Sequence, residues 1–405
     1  MLLSIALILL IGMAAGWLCT KLHLPALIGM IFTGIIIGPY ALDLIDGSVL
    51  DISAQLRKIA LIIILTRAGL TLNVADLKKV GRPAVLMCFL PATFEMIGMI
   101  IVAPKLLGIS VLEAALMGSV IGAVSPAVIV PKMIKLIDEG WGTEKSIPQL
   151  ILAGASVDDV YVIVLFTAFT GLAQGEKVSA VSFVNIPVSI ILGIAAGTLT
   201  GIVLAKLFTK FHIRDTAKVL IFLSVSFLLV TAEDSLSTPI TFSALIAVMF
   251  IGTALQKYAK PAAKRLSLKF NKLWVGAEIM LFVLVGATVN IKYTISAGFA
   301  PVVVIFVVLC FRMLGVFLCL LKTDLNLRER FFCMIAYTPK ATVQAAIGGI
   351  PLAMGLPCGE IILTVAVLSI IITAPLGAFF IDLSSGGRLG SGHSVLTGRG
   401  NSGHS

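Results

Sequence analysis

Ala153-Gly-Ala-Ser-Val-Asp-Asp-Val-Tyr161 sets two adjacent carboxylates, Asp158 and Asp159, in the middle of an apolar run. The run extends from about Gln149 to Ala173, close to the ~20 residues a helix needs to cross a bilayer. One Asp near the membrane midplane costs about 2.5 to 3.5 kcal/mol even on the lenient insertion scale. Two in succession point to a proton or ion pathway, the default role of ionisable groups at that depth.

The rest of the chain fits that setting. Hydrophobic residues make up 59% of the 405 and charged residues 12%, with mean hydropathy +1.11. Soluble domains are about half apolar and about a quarter charged. The expected fold class is therefore an all-α polytopic membrane protein. The first apolar run starts at Leu2 with no basic residue before it, which reads as a retained span rather than a cleaved leader. The six cysteines show no C-x-x-C spacing, so neither a disulfide framework nor a zinc site is indicated. All four histidines (His23, His212, His393, His404) fall in loops or the tail. Haem ligation within the membrane and histidine relays are disfavoured, and no cofactor is expected. A proton crossing the membrane must ride on carboxylates or a lysine.

Apolar runs divided by polar, Gly or Pro punctuation predict about thirteen transmembrane helices. They lie near 2–19, 25–41, 56–72, 84–104, 111–134, 149–173, 184–208, 217–233, 239–255, 273–290, 298–321, 331–355 and 360–381. The second is short and carries Gly29, Gly34 and Gly38, which suits close helix packing. With the N-terminus outside, 22 of the 30 Lys and Arg fall in inner loops and five outside, Arg57 and Lys58 among the five. Arg67, Arg312 and Lys340 lie within spans. Such a bias is a strong positive-inside signal and places the C-terminus in the cytoplasm. It also accounts for the net charge of +10 through contact with anionic lipid rather than nucleic acid. Beyond Asp382 the chain turns Gly- and Ser-rich, and residues 383–405 are expected to be a disordered tail.

Spans one to six and eight to thirteen also read as two halves of inverted topology joined by the seventh. Ser125-Pro126 interrupts the fifth span and Pro339-Lys340 the twelfth, at matching places. Paired interruptions of this kind point to a transporter's binding site. An ordinary proline kink is the plainer alternative.

Few acids lie inside spans: Glu95 in the fourth, the Asp pair in the sixth and Glu278, shallower, in the tenth. Helical neighbours project about 100° apart, so Asp158 and Asp159 cannot face one ligand alike. A carboxylate poised there binds a proton or a cation but not both, which is the chemical basis of exchange. The pair could instead only neutralise the buried cations. Glu95 and Arg312 sit in the span before each interrupted one and are expected to pair, since either alone in hydrocarbon is costly. Lys340 has two roles open: balancing carbonyls freed at Pro339, or partnering Asp158 or Asp159.

At Gly122-Ala-Val-Ser-Pro-Ala-Val-Ile-Val-Pro131, the Asp pair, and Tyr337-Thr-Pro-Lys-Ala-Thr-Val-Gln-Ala-Ala-Ile-Gly348 the chain resembles the cation/proton antiporter superfamily. The likeness is to the two-aspartate branch, which includes bacterial sodium/proton antiporters and subfamily B sodium/hydrogen exchangers. It covers about residues 1–385 and implies inverted repeats with two crossed, unwound helices and a homodimer working by elevator-type alternating access. It further implies dimerisation-side helices in 1–83 and, after a connector, within 174–297, and core transport helices in 84–173 and 298–382. By the same resemblance Asp159 is the main ligand of a transported monovalent cation, Na⁺ or Li⁺, and Asp158 its partner. Lys340, Glu95 and Arg312 are supporting charges. Ser125, Pro126, Thr338 and Pro339 line the unwound segments, with Ser156 and Thr342 as further ligands. Two departures stand out. Arg312 falls where electrogenic bacterial members have lysine, and the fifth-span break, Ser-Pro, brings no carboxylate of its own. The implied location is a bacterial inner membrane, and the implied activity is transport rather than catalysis. A channel or a proton-coupled symporter on this fold is the alternative. An intramembrane aspartyl protease is a remote one, since it needs its aspartates on two facing helices.

Overall fold

A computed structural model of the chain describes residues 1–71, 81–174, 180–211, 213–235 and 242–388. All regular structure among them is helical: α1 (Leu2–Lys21), α2 (Ala26–Ile37), α3 (Gly47–Asp51), α4 (Ser53–Thr71), α5 (Arg82–Met87), α6 (Leu90–Leu107) and α7 (Val111–Ile121). Next come α8 (Pro126–Asp138), α9 (Ile147–Ala173), α10 (Ala180–Lys210), α11 (Asp215–Ser235), α12 (Ala244–Tyr258) and α13 (Lys260–Ala287). The last are α14 (Ile291–Ser296), α15 (Ala300–Cys319), α16 (Leu327–Ala336), α17 (Thr342–Ile347), α18 (Ile350–Ala353) and α19 (Gly359–Arg388). A bilayer offers the backbone no partners, so a chain this apolar closes its hydrogen bonds within helices.

Nine helical segments among the described residues are long and apolar enough to cross a membrane, and three more apolar helices, Ala26–Ile37, Ala244–Tyr258 and Thr342–Ala353, are shorter. Helix covers some part of all thirteen runs read from the sequence. The limits differ where polar residues continue a helix past its apolar stretch. Ser53 opens α4, so Arg57, assigned above to an outer loop, lies inside the helix and is buried, its guanidinium against Gly349. α19 likewise runs on to Arg388, past the expected limit at 382. Residues 389–405 of the expected tail lie outside the described ones.

The helices pack in two sets. α1, α2, α4, α10, α11, α12 and α13 pack among themselves, and α5 to α9 pack with α15, α16 and α19. The sets meet where α17 touches α4 and α13 and where α9 touches α10 and α12. In the first set small residues let backbones touch. Gly34 of α2 lies on the Val283 carbonyl of α13, and Gly286 of α13 returns the contact on the Ile31 carbonyl. Without a hydrophobic drive between helices in lipid, such close approach supplies the packing energy.

A side chain at Gly286 would meet backbone, which cannot move aside. Gly286→Leu is therefore expected to cost at least the about 1–3 kcal/mol of core overpacking, read as a lowered thermal midpoint in detergent. Gly276→Ala is the control on the same helix, because nothing lies within 4 Å of a Cβ there.

A charged cluster at two crossed helix breaks

Both interrupted helices start alike. Ser110 and Glu113 form a reciprocal capping box on α7, and Asn326 and Glu329 form another on α16. Each box satisfies two of the amides a helix start leaves open. Each helix then stops short and resumes, α7 into α8 across Gly122–Ser125, and α16 into α17 across Tyr337–Ala341. Pro126 opens α8, where its missing amide costs nothing.

The two breaks lie against each other. The Ser125 amide donates to the Pro339 carbonyl at 2.8 Å. Gln344 Nε2 donates to the carbonyls of Ile121 (3.0 Å) and Ala123 (2.9 Å), and its Oε1 accepts from the Ala341 amide at 2.8 Å. The Lys340 amide donates to Thr373 Oγ1 at 2.8 Å. Buried backbone groups must be paired, and side chains from other helices do that here.

Charged side chains complete the pairing. Arg312 donates from Nε to the Tyr337 carbonyl (2.5 Å), from Nη1 to the Gly122 carbonyl and to Glu95 Oε2 (2.7 Å), and from Nη2 to Asp158 Oδ2 (2.9 Å). One guanidinium thus ties both breaks to α6 and α9. Its fork of five fixed donors suits this in a way lysine does not. The Tyr337 ring lies 5.2 Å from the guanidinium carbon, and the Tyr337 hydroxyl donates to the Met87 carbonyl at 3.1 Å. Asp158 Oδ2 also accepts from the Val124 amide at 2.8 Å. Lys340 Nζ lies 2.5 Å from Glu95 Oε2.

Glu95, Asp158, Arg312 and Lys340 are wholly buried and Asp159 is 7% exposed. Asp158 and Asp159 part as their helical spacing requires. Asp158 is held by Arg312, whereas Asp159 has no hydrogen-bond or ion-pair partner among the described residues, and its Oδ1 is buried. Buried and unpartnered too are Oε1 of Glu95, Oδ1 of Asp158, Oγ of Ser125 and Oγ1 of Thr342. Thr338 turns back to the Ile335 carbonyl at 2.8 Å. The Ser156 side chain lies outside the described residues.

The Lys340 amine pairs with Glu95 rather than directly with Asp158 or Asp159. Spacing along the chain cannot show that choice, since Glu95 on α6 and Lys340 in the second break are 245 positions apart. Gln344 is the residue sequence reasoning passed over. Its signal was a lone amide among small apolar residues just past a broken helix. Arg67 stays apart from the cluster, with Nε 2.7 Å from Asn271 Oδ1 and the guanidinium over the Trp274 ring.

Gln344→Leu removes the partners of three buried backbone groups, each costing about 1–3 kcal/mol when left open. A large loss of thermal stability in detergent is the expected result. Gln344→Glu, which can still accept from Ala341 but has no donor when ionised, should fall well below wild type as well.

A membrane-embedded bundle whose two interrupted helices cross beside an unpartnered carboxylate is a secondary transporter. The chain belongs to the sodium/hydrogen exchanger family, whose model, "Sodium/hydrogen exchanger, transmembrane", matches residues 5–382. Sodium/hydrogen exchanger 9B2 of Homo sapiens is 32% identical over 384 residues, covering 89% of this chain and 69% of the relative. Sodium/hydrogen exchanger 9B1 of Homo sapiens is 30% identical over 349 residues, covering 82% and 66%. Among solved structures, the sodium proton antiporter MjNhaP1 from Methanocaldococcus jannaschii at pH 8 shares the fold with a TM-score of 0.84. Its identity is 20%, over 95% of this chain and 97% of that one.

Proposed function

We propose that this protein exchanges a monovalent cation, Na⁺ or Li⁺, for protons across a membrane, with Asp159 as the group both compete for. The observation that carries the assignment is a buried carboxylate with no partner among the described residues, beside a quartet already paired. Arg312 and Lys340 offset Glu95 and Asp158, so the cluster is neutral when Asp159 carries one proton. It is neutral again when one monovalent cation replaces that proton. One-for-one, electroneutral exchange follows from that charge count. Unpaired buried charge is costly at this depth, so an empty, ionised Asp159 is the form least able to cross.

The unpartnered oxygens of Asp158, Ser125 and Thr342 are the further ligands this reading assigns, with the Ser156 hydroxyl and water completing the shell. Glu95, Arg312 and Lys340 hold the crossing in shape. Thirteen crossings with the N-terminus outside and the C-terminus cytoplasmic are supported by the charge bias of the loops. The two packing sets support a division into dimerisation-side helices (α1, α2, α4 and α10 to α13) and a moving core. Homodimer formation, elevator-type movement and a bacterial inner membrane rest on the family resemblance.

Competition at one carboxylate sets the test. Ligands must be deprotonated to take a cation, so in proteoliposomes the apparent KM for Na⁺ should rise by up to about tenfold per unit fall in pH at constant maximal rate. A KM indifferent to pH would exclude a shared site.

A further inference from the structure

One cavity lies away from the charged cluster, at the ends of α15 and α19 and the start of α16. It is open, about 660 Å³ in volume, and lined by Phe317, Leu327, Phe331, Met334 and Leu383 together with Arg328 and Arg330. Its wall is apolar and uncovered: Leu327 is 74% and Leu383 66% exposed. Neither of its two cations has an ion-pair partner among the described residues. Arg328 has no partner among the described residues, and Arg330 donates from Nη2 to the Thr323 carbonyl at 3.1 Å while its Nε is buried and unpartnered. The nearby carboxylates are engaged elsewhere, Glu329 by Lys145 at 2.8 Å and Asp382 by Lys132.

The inner leaflet is the anionic one, and clustered Lys and Arg beside membrane helices draw its headgroups. Guanidinium groups bind phosphate as a fork. From the pairing of an apolar groove with two guanidiniums at its rim that have no ion-pair partner among the described residues, we infer that this cavity holds one anionic phospholipid. The headgroup phosphate lies on Arg328 and Arg330, and an acyl chain runs along Phe317, Phe331 and Leu383. The inference rests on the orientation proposed above, which sets this end in the inner leaflet. Because the cavity is built from core helices, the lipid would travel with them.

The test uses the whole protein purified in mild detergent after exposure to phosphatidylglycerol or to phosphatidylcholine of the same acyl chains. Native mass spectrometry reads the lipid retained. One phosphatidylglycerol per chain should remain on the wild type, with a raised thermal midpoint, and phosphatidylcholine should wash away. Arg328→Gln/Arg330→Gln should lose both effects. Arg328→Gln alone, which breaks no bond among the described residues, should lose most of them. Lys264→Gln/Lys269→Gln, an equal loss of charge on the exposed face of α13, should lose neither. Equal retention of the two lipids, or equal loss in the two double variants, would overturn the site in favour of a plain apolar groove or a diffuse charge effect. A second copy of this chain as occupant would appear as dimers lost with the arginines, and would overturn it too. Exchange activity is measured separately, so absent transport with phosphatidylglycerol retained counts against the antiport reading alone.

Discussion

Asp159→Asn is expected to abolish cation-dependent proton movement while leaving the protein folded. The amide keeps the shape of the carboxyl group but can neither ionise nor hand a proton over to a cation. Asp159 makes no contact on which the fold visibly depends, since its carboxylate has no partner among the described residues. Thermal stability should therefore match or exceed wild type, because an unpaired ionisable group has been taken out of a buried site. Asp158→Asn should behave differently. It weakens the 2.9 Å contact with Arg312 and the 2.8 Å bond from Val124, so stability should fall along with transport. Vesicle pH measurements with added Na⁺ and melting curves in detergent separate the two. Near-normal exchange by Asp159→Asn would remove it from the ion site.

The second large effect belongs to Arg312. Its guanidinium meets Glu95, Asp158 and two break carbonyls, so Arg312→Gln strands acceptors on four elements at once. Breaking a buried ion pair by removing one partner costs about 3–5 kcal/mol. Glu95→Gln should cost less, because Arg312 keeps Asp158 and the carbonyls, although Lys340 loses its counter-ion. In Glu95→Gln/Arg312→Gln the loss should be smaller than the two single losses combined, since residues in contact are coupled. Arg312→Lys preserves the charge without the fork and should be intermediate. Strictly additive losses would mean that the two side chains act independently.

These two sites mark how far the sequence can be read. Spans are legible because length and apolarity are properties of a single helix. The carboxylates are legible because ionisable groups inside such spans are rare enough to count. The breaks are legible because proline carries a local cost wherever it stands in a helix. The capping boxes Ser110-x-x-Glu113 and Asn326-x-x-Glu329 are equally local signals, but the reading of the sequence passed over them and the structure brought them out. What is not legible is any choice among distant partners. Lys340 meets Glu95 across 245 positions and Gln344 reaches Ile121 across 223. Those contacts exist because the two breaks cross, which is a tertiary fact. Helix limits were misjudged for another reason. Ser53 to Lys58 is polar yet helical, since near a helix end the backbone bonds decide conformation and hydropathy does not.

The most direct test of cation/proton exchange is made in proteoliposomes holding a preset pH gradient, with the membrane potential clamped by potassium and valinomycin. Adding Na⁺ or Li⁺ on one side should dissipate the gradient at a rate that saturates with cation and stays the same at every clamped potential. Cation entry with no accompanying change in pH would contradict exchange itself and point to a channel on the same fold.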